Sequence, residues 1–280
     1  MLGCIWQYFY SSFLRFWLKW FLRHITGKCE LQRICAGYKQ GALRTSQIGK
    51  NCNKIIILTL LRFEEDVVDC VAQIMRHKNI SEQKDPMFKV NLQQCLLQIS
   101  GYNTLFAAVE DLRKEVFDSE NEDHEKMLLN LWDLLMPSEK LESRITKQWG
   151  NIGFQGDDPK TDFRGMGMLG LVNLNNCGCA FQCRYSYAIV GINLTEMAYS
   201  LLRSGALKTH FYNTVAGKPE MQNFHQLYCY LAYEFNKFWV DEEPESIMEF
   251  NTYREKFHDK VKVYLQEPEV ALILKLDAKN

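Results

Sequence analysis

Apolar residues fall three and four apart in one stretch after another, and that period leaves little choice of fold. Val67, Val71, Ile74 and Met75 share one helical face, as do Leu92, Cys95, Leu96 and Ile99. Met127, Leu128, Leu131, Trp132 and Leu135 form another stripe, which Pro137 stops. Phe224, Leu227, Tyr228, Leu231, Phe235 and Phe238 make a later one, and Ile247, Phe250, Phe257, Val261 and Tyr264 the last. Residues 185–202 are apolar nearly all round, which marks a centrally buried helix; Asn193 and Glu196 argue against its crossing a membrane. Only residues 55–61 (IIILTLL) could pass for a strand, and one strand makes no sheet. The spacing therefore predicts an all-α chain without internal repeats.

At 280 residues and 47% apolar content the chain can bury one large core or two modest ones. A formal net charge of −1 gives no electrostatic case for nucleic acid as a partner. Ten cysteines are scattered without a spaced framework, and no cleavable signal peptide precedes them. They read as reduced thiols in the cytoplasm, mostly buried as small hydrophobes. Cys177, Cys179 and Cys183 lie close in sequence, but a structural zinc site wants four ligands and no second pair is near. No histidine pair has metal-binding spacing beside an acid. No metal and no cofactor of the chain's own is expected.

Residues 4–23 read CIWQYFYSSFLRFWLKWFLR, with no acid before Glu30. Gln7, Ser11, Arg15, Lys19 and Arg23 recur every fourth position and drift only about 40° per step on a helix, so they form one narrow polar stripe. The rest is largely aromatic. This pattern suits a helix lying in a membrane interface, with Trp17 and Trp20 at the acyl boundary and Arg15, Lys19 and Arg23 at anionic headgroups. A spanning helix would carry Arg15 and Lys19 mid-membrane at roughly 2.5–3.5 kcal/mol each. The third reading is a core helix whose stripe faces solvent. Aromatic density favours the interface, peripheral to an intracellular membrane such as that of the endoplasmic reticulum, a lipid droplet or a mitochondrion.

One region breaks the helical pattern. Residues 149–174 read WGNIGFQGDDPKTDFRGMGMLGLVNL, a polar loop ending in an arginine at a helix start. Asp158 before Pro159 reads as a turn or an N-cap with proline at the first helical position. Thr161 or Asp162 is expected to cap the helix that carries Met166, Leu169 and Leu171 inward. Arg164 would then lie in the first turn, where the helix dipole disfavours a cation, and a residue set against local preference points to function. Asp157, Asp158 and Asp162 are placed to hold Arg164 by ion pairs, or merely to tie the loop down through it. Gln155 is a candidate for orienting water or main chain. Trp149, Phe154 and Phe163 are candidates for partner contact, against a role in the loop's own core. Gly165, Gly167 and Gly170 spell G-x-G-x-x-G, but no strand precedes them and no acid follows at the right distance, so a dinucleotide is not expected.

The stretch WGNIGFQGDDPKTDFRGMGMLGL resembles the core motif of the ELMO domain. YSYAIVGINLTEMAYSLL, HFYN, LYCYLAYEF, KFWVDEEPESIMEFN and, near the front, ITGKCELQRIC extend the resemblance over almost the whole chain. It implies an all-helical fold, with the ELMO domain expected over residues 120–280, a helical region packed on it over 29–119, and the membrane-associating helix read above over 1–28. It also implies GTPase-activating activity towards Arf and Arf-like small GTPases, with Arg164 of the DFRG sequence as the functional residue. GTP and magnesium would belong to the partner GTPase, which also brings its own glutamine. The family's larger scaffolds, which work with a Rac exchange factor, lack this arginine. A non-catalytic membrane adaptor is the competing implication.

The chemistry suits such an arginine. Transfer of the γ-phosphoryl group needs charge stabilisation more than covalent help, and a guanidinium supplied in trans provides it, typically for about 10³–10⁵ in rate. One departure stands out: relatives carry a longer polar insertion where only NNCGCAFQCR, residues 175–184, fills the gap here.

Overall fold

The computed structural model describes residues 14–36, 41–51, 64–177 and 186–274. Gln7, Ser11, the Arg15 side chain, the 55–61 run, Cys179 and Cys183 fall outside them. Every regular element among the described residues is helical, as the apolar period predicts. The chain divides into two compact units, residues 1–100 and 101–280.

The first unit holds α1 (Arg15–Thr26), α2 (Glu30–Cys35), α3 (Gly41–Asn51), α4 (Glu64–His77) and the first half of α5 (Pro86–Lys114). Its core joins Cys35 and Ile48 to the two predicted faces, through Val67 and Val71 of α4 and Phe88, Leu92 and Leu96 of α5. Polar groups lock the packing. Asn91 donates to the Cys35 carbonyl at 2.7 Å and accepts from Arg44 at 2.5 Å. Lys28 pairs with the buried Asp85, whose other oxygen accepts from Gln32 at 2.8 Å. These bonds, Lys28 first, hold the Asp85 carboxyl below its ordinary range. Lys28 thus belongs to the folded unit. Helix α1 ends two residues earlier, at Thr26, and is capped by Gly27, whose left-handed φ of 64° lets its N–H reach the Arg23 carbonyl.

The second unit holds the rest of α5, then α6 (Glu122–Leu135), α7 (Gly167–Cys177), α8 (Tyr187–Ser204), α9 (Lys208–Thr214), α10 (Met221–Glu242) and α11 (Phe250–Tyr264). Helix α8 is buried on nearly every side and packs against α7 and α10. Gly191 makes that approach possible: a Cβ there would lie 2.3 Å from Leu174 Cδ2 and 2.9 Å from the Tyr228 hydroxyl. Asn193 and Glu196 of α8 face Arg254 of α11 at 2.7 and 3.6 Å. Every residue of the α10 stripe is buried. The last stripe is only partly so: Phe257 and Val261 are buried, while Ile247 and Tyr264 are exposed.

His210 ties the C-terminal segment to α9 by accepting the Leu272 N–H at 3.0 Å on Nδ1. Burial pushes its pKa down to about 4. A histidine depressed in the folded state contributes stability that is complete above its unfolded pKa, near 6.5, and is lost as pH falls towards 4. Lowering pH from 7 to 5 is expected to cost about 2 kcal/mol through this group alone. Denaturant melts should show that loss, and His210→Gln, which keeps an acceptor but does not titrate, should reduce it by a similar amount.

Candidate functional site

Between α6 and α7 the backbone makes two 3-10 turns, Lys147–Ile152 and Pro159–Arg164. Thr146 caps the first by accepting from the Gln148 N–H. Asp158 caps the second: its Oδ1 accepts the Lys160 N–H at 3.1 Å, and Pro159 occupies the first position, where no N–H is needed. The intervening loop closes on itself. Asp162 Oδ2 accepts the Gln155 N–H at 2.9 Å, and the Asp157 carbonyl accepts the Thr146 N–H at 3.0 Å.

Beneath the loop runs a chain of aromatic contacts. Trp132 meets Trp149 at 5.4 Å, Trp149 meets Phe154 at 5.7 Å, Phe154 meets Phe163 at 5.6 Å, and Phe163 meets Phe117 at 5.8 Å. Trp149, Phe154 and Phe163 are all buried. They form the loop's own core and present no surface, so any contribution to partner contact runs through the backbone they support. The indole N–H groups are satisfied, Trp149 by the Arg144 carbonyl at 2.9 Å and Trp132 by that of Glu139 at 2.8 Å.

Of the three glycines after the arginine, Gly167 and Gly170 serve packing, while a Cβ on Gly165 would meet open space. Gly167 has φ +52°, and a Cβ there would come within 2.3 Å of the Arg113 carbonyl oxygen and 2.4 Å of that of Glu115. The end of α5 therefore lies directly against the start of α7, and the Met168 N–H donates to the Glu115 carbonyl at 2.9 Å. Gly170 rests in ordinary contact with Phe163.

Arg164 is exposed at the last position of the second 3-10 turn, and α7 begins only at Gly167. This differs from the expected first turn of a helix. Asp158–Pro159 opens a separate short turn, so the dipole argument does not apply. The three acids do not hold Arg164 either. Asp158 is taken by Arg144 at 3.0 Å, Asp162 by the Gln155 backbone, and Asp157 and the Gln155 side chain are exposed. Among the described residues, Arg164 makes a single hydrogen bond, from Nε to the Thr161 carbonyl at 2.8 Å, and no carboxylate lies within ion-pair distance.

Sequence reasoning missed Arg144. Its Nε reaches both Glu125 oxygens at 2.6 and 2.8 Å, its Nη1 reaches Asp158, and its guanidinium lies over the Phe117 ring at 5.6 Å. One side chain thus ties α6, the aromatic chain and the cap of the arginine turn together. Nη2 is buried without a hydrogen-bond partner among the described residues. No periodicity marks a lone arginine in a polar stretch, so only the fold reveals it. Arg144→Ala would leave Glu125 and Asp158 half-buried and unpaired, and is expected to cost about 2–3 kcal/mol. Urea denaturation measures this, and proteolysis within residues 145–165 should accelerate.

The ELMO/CED-12 family model matches residues 107–180 and 174–254, which span every element of this site. The chain belongs to the ELMO/CED-12 family. ELMO domain-containing protein 2 of Bos taurus is 55% identical over 99% of this chain and its own full length. The human protein of that name is 55% identical over 97% of this chain and 99% of its own. ELMO domain-containing protein 1 of Mus musculus is 46% identical over 95% of this chain and 92% of its own. No solved structure matches. The two pieces of the ELMO/CED-12 match overlap at residues 174–180. The bovine alignment runs over 294 positions against 280 residues here, so this relative carries residues the chain lacks.

Three concavities matter for chemistry. The largest, about 500 Å³, lies between α10 and α11 over Phe238, Phe257 and Val261. A second, about 390 Å³, is lined by His210, His225 and Cys229. Burial pushes the His225 pKa down, and its Nδ1 meets Asn173 Oδ1 at 2.8 Å. The smallest, about 270 Å³, opens beside Arg164. No group of three His, Cys, Asp or Glu side chains among the described residues could hold a metal ion.

Proposed function

We propose that this chain accelerates GTP hydrolysis by Arf-family small GTPases, with Arg164 inserted against the γ-phosphoryl group of the partner's nucleotide. The observation that carries the reading is the state of Arg164: exposed, outside any ion pair among the described residues, and mounted on a turn fixed by buried aromatics. An arginine that only tied the loop down would be engaged with Asp158 or Asp162, and both of those are engaged elsewhere. Membership of the ELMO/CED-12 family, and the DFRG setting of Arg164, support the same reading.

The bond from Nε to the Thr161 carbonyl orients the guanidinium while leaving both Nη groups free to donate. As water attacks and the bond to the β-phosphate oxygen lengthens, negative charge spreads over the phosphoryl oxygens. A planar pair of donors at fixed separation suits that charge, and its pre-organisation avoids reorganisation during the step. The GTPase supplies nucleotide, magnesium and the residue that orients water. Gln155, exposed beside the turn, is left for contacts to the partner.

The N-terminal helix supports peripheral membrane association as part of the same reading. Phe16, Trp17, Trp20, Phe21 and Ile25 of α1 are more than half exposed, an apolar surface with Arg23 and Lys19 beside it. No helix among the described residues is long and apolar enough to cross a membrane.

Single-turnover hydrolysis of GTP by a panel of Arf and Arf-like GTPases tests the proposal. Acceleration of at least about 10³ on one member is the expected result. Binding to a GTP-loaded GTPase without acceleration would instead make the chain an adaptor.

A further inference from the structure

We propose that the cavity beside Arg164 is a socket for an acidic side chain flanked by an apolar one on the surface of the partner GTPase; this rests on the function proposed above and names how the partner is held. The cations Arg113, Lys114, Lys160 and Arg164 line this cavity of about 270 Å³, and Phe117 and Phe163 are among its apolar lining. No carboxylate contributes to the lining.

The charges are arranged to stay available. Glu110 binds Arg113 through two parallel bonds at 2.8 and 2.9 Å and also reaches Lys114 at 3.2 Å. The Tyr199 hydroxyl donates to the same carboxylate at 2.6 Å. Glu110 is therefore committed, and it fixes Arg113 in place without neutralising the rest. Lys114 remains mostly exposed, and the Lys160 ammonium has no partner among the described residues. Four cations thus line one concavity, and no carboxylate is among its described lining residues. Such a surface attracts a negative group before contact and fixes its register afterwards.

The apolar lining decides the kind of anion. Val116, 78% exposed, is its reachable part, while Phe117 and Phe163 are buried, so that side of the cavity offers no side-chain donors. A free oxyanion such as phosphate would lose hydration against this side without replacement. An aspartate or glutamate beside an apolar residue satisfies both parts: the carboxylate meets the cations while its neighbour covers Val116. Arg164 lines the same cavity, so an acidic group seated there brings the partner to the face that carries the arginine.

The test is a charge reversal, Lys114→Glu with Lys160→Glu, in the full chain. It is read by single-turnover hydrolysis at varied chain concentration and salt, with circular dichroism to establish folding. The concentration giving half-maximal rate should rise 10- to 100-fold, and its dependence on salt should weaken. The rate at saturation should stay within about threefold, because Arg164 is untouched. Lys114→Arg with Lys160→Arg should restore wild-type behaviour, and Lys256→Glu on α11 should have no effect. A folded reversal variant with wild-type half-saturation and salt dependence overturns the socket and leaves the proposed activity standing. If the wild-type chain accelerates no GTPase, the activity fails, and calorimetric titration with a GTP-loaded Arf-family GTPase then judges the socket alone: equal affinity of wild type and reversal overturns it. A reversal that lowers binding to anionic vesicles but not to the GTPase also overturns it, in favour of a lipid headgroup.

Discussion

Arg164→Lys should reduce the stimulated rate of GTP hydrolysis by 10³-fold or more while leaving the chain folded and able to bind its GTPase. The substitution keeps a positive charge at the edge of the basic cavity, so attraction between the partners persists. It removes the planar fork, and a single ammonium cannot meet two phosphoryl oxygens in one rigid plane. The expected loss corresponds to about 4 kcal/mol or more of transition-state stabilisation. Stability should hardly change, since the side chain is exposed and its one hydrogen bond among the described residues is to the Thr161 carbonyl. The measurements are single-turnover hydrolysis, a binding titration with GTP-loaded GTPase, and circular dichroism. A lysine variant that retains more than about a tenth of the stimulation would mean that Arg164 is not a finger of this strength. A variant that loses binding as well would make it a docking residue.

The fold was legible because helices announce themselves by period. The stripes from Val67 to Ile99 and from Phe224 to Phe238 follow three-and-four spacing, and the structure buries them or packs them against the core. Arg164 itself could be singled out from its motif. Its surroundings could not, because ion pairing in a loop is decided by residues distant in sequence. Asp158 lies six positions from Arg164, yet it pairs with Arg144, which α6 holds in place through Glu125. Lys28 closes the 1–28 segment read as membrane-associating, until Asp85, 57 residues on, is seen to claim it. The buried run from Trp132 to Phe117 was equally hidden, since aromatic residues in a Gly- and Asp-rich loop read alike as core or as contact surface. The basic cavity combines the end of α5 with the arginine turn, a pairing that depends on Gly167 allowing two backbones to meet.

Removing residues 1–26 should abolish binding to anionic vesicles yet leave hydrolysis by a soluble GTPase unchanged. The cut stops before Lys28, so its pair with Asp85 survives. Little stability should be lost, because most of α1 is exposed and its one ion pair among the described residues, Lys19 to Glu30 at 2.5 Å, has side chains 40% and 35% exposed. Such a pair contributes at most about 1 kcal/mol. Membrane binding by contrast should draw on the aromatic residues of α1 together with roughly 1 kcal/mol from each nearby cation, a contribution that added salt removes. The consequence for activity is one of concentration. When the GTPase is anchored to a vesicle, confining both proteins to the same surface raises their encounter frequency without any new contact, and losing that confinement should lower efficiency about 100-fold or more. Trp17→Ala with Trp20→Ala should reproduce much of the deletion's effect on vesicles and none of it in solution. Thermal melts of the full-length and truncated chains decide between anchor and core. A truncated chain that melts well below the full-length one, or loses activity on the soluble GTPase, would show that this helix packs into the protein and that its aromatics serve folding instead of the membrane.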